Sequence, residues 1–153
     1  MPKITPFLWF NDQAEEAMNH YISIFKNGKA VGVHRVDGKV LAVTFELDGQ
    51  RIMGLNGGPQ FKFTEAVSLF VDCETQQEVD ELWEKLCAGG EPGRCGWLKD
   101  KYGLSWQIIP KALMKLMSDP DPEKSQAVMR AMFKMSKIII ADLQRAYEGE
   151  AAA

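Results

Sequence analysis

A strand followed by a capped helix occurs twice in this sequence, and that repeat limits the fold more than any other feature. Residues 4–10 and 66–73 are short apolar runs that predict strands. Each run leads to a candidate N-cap, Asp12 or Thr75, with a glutamate three residues later, which is the capping-box pattern. Further strands are predicted after each helix, although one strand of the second copy has only a weak signal. The order β-α-β-β-β therefore occurs twice and predicts an α+β fold of two similar modules.

The first module is predicted to cover residues 4–56. Asp37-Gly38 and Asp48-Gly49 are hairpin-turn pairs that separate predicted strands at residues 29–36, 40–47 and 50–55. The helix of this module carries apolar residues at three-to-four spacing, which predicts one buried face: Ala14, Ala17, Met18, Tyr21, Ile22 and Phe25.

The second module is predicted to cover residues 66–110 and ends with strands at 96–99 and 104–109. Short helices are predicted beyond it at residues 111–117, 123–135 and 141–147, with an extended segment at 138–140 and a frayed end from residue 148. We expect the whole chain, residues 1–153, to be a single domain. The predicted helices after residue 110 are rich in methionine: Met114, Met117, Met129, Met132 and Met135. These side chains either pack in the core or offer a pliable surface to a partner.

Composition excludes several classes of function. A net charge of −3 with scattered Lys and Arg gives no electrostatic footprint for nucleic acid or an anionic membrane. No apolar run is long enough to span a bilayer, and the N-terminus lacks the pattern of a signal peptide. The three cysteines match no metal or redox spacing, so we expect free thiols in a cytoplasmic protein.

Motifs for known reaction types are absent from the sequence. We find no nucleophile elbow, phosphate-binding P-loop, zinc-protease helix or dinucleotide fingerprint. The glycine-rich segment 56–59 follows a strand without opening a helix, so it predicts a linker. Residues 99–101 predict a solvated hairpin loop.

The segment CGWLKDKYGLSWQIIP, residues 95–110, has the highest density of unusual residues. With a four-residue loop at 100–103, Trp97 would lie across from Trp106, and the two rings would share one face of the hairpin. Leu98, Ser105 and Gln107 would then share the other face. Ser and Gln are unusual in a core and suit a cavity.

Five strings carry a family resemblance: ITPFLWF, AEEAMNHYISIF, LNGGPQFKF, CGWLKDKYGLSWQIIP and DPDPEKSQAVMRAM. They resemble the PhnB-like (3-demethylubiquinone-9 3-methyltransferase-like) family of the glyoxalase/bleomycin-resistance/dioxygenase (vicinal oxygen chelate) superfamily. The resemblance implies that the two modules form a cupped mixed sheet with helices outside, and that the protein is a homodimer.

The resemblance also implies positions for a divalent metal, on the first and last strands of each module. When these positions are transferred to this chain by matching the strand and the face of the sheet, they are Thr5, Met53, Ala66 and Gln107. Only Gln107 could be a ligand, so we expect no metal and no cofactor. The sequence lacks the glycine-rich cofactor loop that common small-molecule methyltransferases use. We therefore treat the word methyltransferase as part of the family's name and not as evidence of activity.

The remaining candidate site is the inner face of the cup. Its predicted ligand-binding residues are Phe7, Trp9, Met53, Ser68, Phe70, Ser105 and Gln107, with Thr5 beside them. These side chains either line a pocket for an unknown small molecule or fill the cup themselves. Three hypotheses follow: a small-molecule-binding protein without a metal, an atypical and possibly metal-dependent enzyme, and an interaction module that uses the methionine-rich helices.

Overall fold

The computed structural model of the protein describes residues 2–149. The chain divides into two compact units, Met1–Phe63 and Thr64–Ala153, and each contains one four-stranded mixed sheet. The boundary between the units lies in the segment that separates the two predicted modules. The predicted α+β fold of two β-α-β-β-β modules followed by helices is confirmed.

The first unit contains β1 (Phe7–Phe10), α1 (Ala14–Ile24), β2 (Lys29–Val36), β3 (Lys39–Leu47) and β4 (Gln50–Asn56). The strand order is β1-β4-β3-β2, with β1 parallel to β4 and the other pairs antiparallel. The parallel pair arises because α1 carries the chain back across the sheet before the hairpins begin.

The buried face of α1 packs on one face of this sheet. Ala14, Ala17, Met18 and Tyr21 are buried as the spacing predicts, and the Tyr21 ring centroid lies 6.2 Å from that of Phe45. The sheet residues buried on this face alternate along their strands, as expected for a sheet covered on one side: Leu8, Phe10, Val43, Phe45, Leu47 and Ile52.

The predicted capping box at Asp12 is wrong. Helix α1 begins after Gln13, which makes no side-chain cap. The backbone N–H of Ala14 instead donates to Oδ1 of Asn56 at 2.8 Å, and Asn56 Nδ2 donates to the Val40 carbonyl at 3.1 Å. A residue distant in sequence therefore supplies the N-terminal acceptor of α1.

The second unit begins with β5 (Ser68–Cys73), α2 (Gln76–Cys87), β6 (Glu91–Pro92), β7 (Trp97–Lys99) and β8 (Ser105–Pro110). The strand order β5-β8-β7-β6 repeats that of the first unit, with β5 parallel to β8. Thr75 caps α2 as predicted, because its Oγ1 accepts from the N–H of Glu78 at 3.1 Å.

Helices α3 (Lys111–Met117), α4 (Pro122–Phe133) and α5 (Ile140–Tyr147) complete the second unit. They form a small core with the end of β8, made of Ile109, Leu113, Val128, Ile138 and Leu143. Met117, Met132 and Met135 pack against this core, whereas Met114 is 58% exposed. Most of these methionine side chains therefore contribute to the packing of the C-terminal helices.

The segment between α4 and α5 pairs with the start of the β7 region. Cys95 N–H donates to the Met135 carbonyl and Gly96 N–H to the Ser136 carbonyl, both at 2.8 Å. Ile139 is extended as predicted, but the extended segment does not reach Ile140, which is the first residue of α5. The expected frayed end lies largely outside the described residues. Within residues 2–149 no helix is long and apolar enough to cross a membrane.

Candidate functional site

The β7–β8 hairpin has a different register from the one predicted. Trp97 pairs with Gln107, Leu98 with Trp106 and Lys99 with Ser105, so the loop has five residues, 100–104. The prediction that Trp97 and Trp106 share a face is therefore wrong. Trp97 shares the face of Gln107, and Trp106 shares the buried face of Leu98.

Asp100 explains the longer loop. Its side chain is 2% exposed, so the prediction of a fully solvated loop is wrong at this residue. Its Oδ1 accepts from the N–H groups of Tyr102 and Leu104 at 2.9 and 3.1 Å, and its Oδ2 accepts from the indole of Trp106 at 2.9 Å. The buried carboxylate thus holds the loop closed and fixes the register that turns Trp97 toward Gln107.

The face of the second sheet that carries Gln107 is called here the Gln107 face. On it lie Ser68, Phe70, Trp97, Ser105 and Gln107, which share one side of β5, β8 and β7 by register with Asp72 and Lys99. Four of these are predicted ligand-binding residues, and the register places them together. Trp97 is the addition that sequence parity missed, because the loop was taken one residue too short.

A neutral polar pair lies at the centre of the Gln107 face. Gln107 Nε2 donates to the hydroxyl of Ser68 at 3.0 Å. Ser105 pairs with Ser68 across the strands and is fully buried, and its Oγ has no hydrogen-bond partner within residues 2–149. Phe70, the register partner of Gln107, is 53% exposed. The centre of the face therefore combines an exposed ring with uncharged hydrogen-bonding groups, while its charged members Lys99 and Asp72 are ion-paired with Glu65 and Lys111.

The corresponding face of the first sheet carries the other predicted residues. Phe7 pairs with Met53, and Trp9 pairs with Leu55, on the side opposite the core residue Phe45. Phe7 is 53% exposed. The ring of Phe61 meets Trp9 edge-on with centroids 4.9 Å apart. We call this side of the sheet the Met53 face, and both of its β1 residues are aromatic.

The glycine-rich segment after β4 packs against Trp9. The indole N–H of Trp9 donates to the Gly58 carbonyl at 3.0 Å. A Cβ on Gly57 would lie 2.4 Å from the Trp9 ring, so a side chain has no room there. The segment predicted as a linker therefore fixes an aromatic side chain of the Met53 face.

The register also corrects the comparison between the two modules. Phe7 pairs with Met53 in the first unit, and Phe70 pairs with Gln107 in the second. The counterpart of Thr5, two residues before Phe7, is therefore Ser68 rather than Ala66. Ala66 lies in a turn before β5 and is exposed.

The residues at the implied metal positions do not fit a divalent ion. Thr5, Met53, Ser68 and Gln107 offer two hydroxyls, a thioether and an amide, and no charged or imidazole donor. The Gln107 amide is already hydrogen-bonded to Ser68. Within residues 2–149, no three His, Cys, Asp or Glu side chains cluster as a metal site.

Glu46, which shares the Met53 face by register, is occupied by cations. Arg51 Nη2 donates to Glu46 Oε2 at 2.9 Å, and Lys29 Nζ lies 3.7 Å from Oε1. The hydrogen bond from Arg51 holds the pKa of this carboxyl below its usual range, with partial desolvation opposing it. This carboxylate is therefore a poor candidate for a general acid.

The cysteines do not form a nucleophilic site. Burial, the largest cause, raises the pKa of the Cys73 thiol to about 12, and the carboxylates of Glu78 and Asp72 add to the rise. Burial also raises the pKa of Cys87. The three thiols are free, as predicted, and these two remain protonated at neutral pH.

Two mixed sheets, each formed by a β-α-β-β-β module, define the fold class of the glyoxalase/bleomycin-resistance/dioxygenase proteins. The family is more specific. The chain belongs to the 3-demethylubiquinone-9 3-methyltransferase family, whose model matches residues 2–109. The match ends one residue before the end of β8, so the C-terminal helices lie beyond it.

Solved structures agree with this assignment. The chain is 40% identical to a PhnB protein from Bacillus cereus, with a TM-score of 0.68 over 71% of this chain and 99% of that one. Protein PA1353 from Pseudomonas aeruginosa is 18% identical, with a TM-score of 0.59 over 72% of this chain and 98% of that one.

A fosfomycin resistance protein, FosX, from Listeria monocytogenes, solved with Mn(II) and sulfate, is 18% identical, with a TM-score of 0.51 over 69% of this chain and 88% of that one. The Pseudomonas and Listeria structures are similar in fold alone. No curated protein matches the chain.

Proposed function

We propose that this protein binds a small, neutral, partly aromatic molecule on the Gln107 face, without the metal ion that the fold implies. The observation that carries the proposal is the neighbouring placement of an exposed ring, Phe70, and an uncharged polar pair, Gln107 and Ser68. Apolar surface with a few convergent polar groups is the usual make-up of a small-molecule site.

The exposure of the rings favours a pocket over a filled core. Phe7 and Phe70 hold corresponding positions in the two modules, and each is 53% exposed. A large aromatic side chain in a filled core is excluded from water, whereas these rings leave apolar area for a ligand to cover. The Met53 face, with Phe7, Trp9 and Met53, is a second aromatic surface to which the proposal extends.

The polar groups favour an uncharged ligand. The amide of Gln107 and the hydroxyl of Ser68 can donate and accept, but neither can neutralise a charge. Lys99, which pairs with Ser105 by register, is ion-paired with Glu65. A hydroxyl or carbonyl on an aromatic ring matches these groups better than a carboxylate or a phosphate.

The methyltransferase activity in the family's name is not part of this proposal. The glycine-rich segment 56–59 is committed to Trp9 through the Gly58 carbonyl and the close approach of Gly57. That leaves it no role as a cofactor cradle. The alternative of a metal-dependent enzyme has weak support, because the donor set at the implied positions is uncharged.

The expected homodimer, a single functional domain and a cytoplasmic setting belong to the same proposal. Strand β2 lies at the edge of the first sheet and is exposed along its whole length, including Val31, Val33 and Val36. An exposed apolar edge is a surface that a second copy can cover. Sedimentation equilibrium at micromolar concentration should give twice the mass of one chain, and a mass of one chain would contradict the dimer.

Tryptophan fluorescence tests the binding proposal. A panel of neutral hydroxylated aromatics, beginning with 2-naphthol, is titrated into the protein, and quenching is followed. Trp97→Phe should remove most of the quenching, whereas Trp83→Phe, on helix α2, should leave it unchanged. Gln107→Leu, which keeps the volume but removes the amide, should weaken binding about tenfold, equivalent to about 1.4 kcal/mol.

The outcomes separate the alternatives. Saturable quenching that depends on Trp97 and Gln107 supports the proposal. Failure of the whole panel to quench, or quenching equally lost in Trp83→Phe, would overturn it.

A further inference from the structure

We propose a second binding site, for a small carboxylate with an apolar body, in the cleft between α4 and α5. The cleft has a volume of about 700 Å³ and is lined only by residues 121–149. It is distinct from both sheet faces and lies in the helices beyond the family match. No part of the inference depends on the small-molecule site proposed above.

The floor of the cleft is apolar and made of small residues. Ala127 and Ala131 of α4 and Ala146 of α5 all line it. Because alanine side chains end at Cβ, two helices that meet through them leave space where larger residues would interdigitate. A compact apolar group such as a phenyl ring can occupy that space.

One wall is an aromatic ring held in place by its neighbours. The hydroxyl of Tyr147 donates to Asp119 Oδ2 at 2.6 Å. The ammonium of Lys124 lies 4.8 Å from the centre of the Tyr147 ring. The ring is thus fixed from two sides and offers a rigid surface to a ligand.

The formal charges of the lining balance, with four carboxylates and four cations, so the preference for an anion depends on which of them are already paired. Arg130 and Lys134 line the cleft, and neither makes an ion pair within the part of the chain that the structure describes. Asp121 Oδ1 accepts from the N–H of Glu123, and Glu148 accepts from the side chain of Gln144, but these neutral donors leave the carboxylate charges in place. Among the lining carboxylates only that of Asp142 is ion-paired within residues 2–149. Arg130 and Lys134 can therefore contact a ligand, but the preference for an anion rests on Arg145.

Arg145 points to a carboxylate in particular. Its Nη2 is paired with Asp142, one turn earlier on α5, but its Nε is shielded from solvent and has no hydrogen-bond partner within residues 2–149. A buried donor without an acceptor is unfavourable. A ligand carboxylate that turns the guanidinium from Asp142 could accept from Nε and Nη2 together, the bidentate geometry that arginine forms with carboxylates.

Asp142 is therefore a competitor for the ligand. The proposal is specific for this reason. Removal of the Asp142 carboxylate should strengthen binding of the ligand, and removal of the Arg145 guanidinium should weaken it. A site without a direct role for Arg145 has no reason to respond in opposite directions to these two changes.

Isothermal titration calorimetry of the full chain with benzoate and with benzamide, its neutral counterpart, tests the site. Benzoate should bind at least tenfold more tightly than benzamide. Arg145→Gln should weaken benzoate binding at least tenfold, and Asp142→Asn should strengthen it about threefold. Arg51→Gln, which removes an ion-paired arginine of the first unit, is the matched control and should change nothing.

A second variant keeps the test decisive if Arg145→Gln does not fold. Ala127→Leu fills the floor without changing any charge, and it should abolish benzoate binding while the melting temperature stays close to wild type. Gln107→Leu should leave benzoate binding unchanged, which separates this cleft from the sheet faces.

Equal affinity for benzoate and benzamide would overturn the proposal. So would binding that survives Ala127→Leu, or that Asp142→Asn weakens. Absence of any binding of benzoate to the wild-type protein at millimolar concentration would also overturn it.

Discussion

The indole N–H of Trp106 donates to the carboxylate of Asp100 at 2.9 Å, and both side chains are buried. The same carboxylate accepts from two backbone N–H groups of the loop, so a single residue closes the hairpin and holds the largest fully buried side chain of the chain's described part. This pair sets the register of β7 against β8, and with it the composition of the Gln107 face.

Asp100→Asn tests that role. The amide can keep both backbone hydrogen bonds through its oxygen, but its NH₂ group would then face the Trp106 indole N–H, donor against donor. We expect a loss of about 1–3 kcal/mol in the free energy of unfolding, measured by urea denaturation. Combined with Trp106→Phe in a double-mutant cycle, the coupling should be at least about 1 kcal/mol. A coupling near zero would show that the pair does not hold the loop.

The same hairpin shows what the sequence could predict and what it could not. The strands and the loop between them follow from local patterns. The loop length does not, because four and five residues are both compatible with the spacing from Trp97 to Gln107. The deciding interaction is a carboxylate folded back into the loop, and an Asp between two lysines has the composition of an exposed turn.

The N-terminal caps of α1 and α2 differ in the same way in how far the sequence predicts them. Thr75 caps α2 through an atom three residues away, so its sequence pattern was sufficient. The acceptor for α1 is Asn56, which comes from the end of β4 and can be found only once the sheet is assembled. Local chemistry was predictable here, and chemistry between distant segments was not.

Asn56→Ala should destabilise the first unit more than Asp12→Ala. Loss of the Asn56 side chain leaves the Ala14 N–H and the Val40 carbonyl without their partners. We expect a cost of about 1–2 kcal/mol, which is typical of a lost N-cap. Asp12 is exposed and does not cap the helix, so its replacement should cost less than about 0.5 kcal/mol. Equal losses in thermal melts of the two variants would favour the sequence-based capping box.

The buried thiol of Cys73 should make stability fall at high pH. Its pKa is raised to about 12 in the folded protein from 9.0, so the folded state holds its proton where the unfolded state releases it. The contribution of this residue to the free energy of unfolding is constant below pH 9. Between pH 9 and 12 it should decrease by up to about 1.4 kcal/mol for each pH unit. Cys73→Ala should remove that slope from urea denaturation curves. A slope unchanged by the substitution would mean that other groups cause it.

Metal content provides an independent check on the donor set. Protein purified without chelators should contain less than about a tenth of an equivalent of divalent metal. Manganese, zinc or nickel should not raise its melting temperature, because a bound ion would stabilise the folded state by mass action. Near-stoichiometric metal in the wild-type protein that is lost in Gln107→Ala would contradict the conclusion that Thr5, Met53, Ser68 and Gln107 do not bind a divalent ion. It would then favour the hypothesis of a metal-dependent enzyme.

The C-terminal helices should behave as core and not as a detachable interaction surface. Ile138 is fully buried between α4 and α5, and its carbonyl accepts from Gln76 of α2 at 3.0 Å. Ile138→Ala should therefore cost about 2–5 kcal/mol by leaving a cavity. Met114→Ala is the matched control, since that side chain is 58% exposed, and should cost less than about 0.5 kcal/mol. If urea denaturation shows two transitions and Ile138→Ala shifts only the weaker one, the helices unfold separately from the sheet, and the interaction-module hypothesis regains its basis.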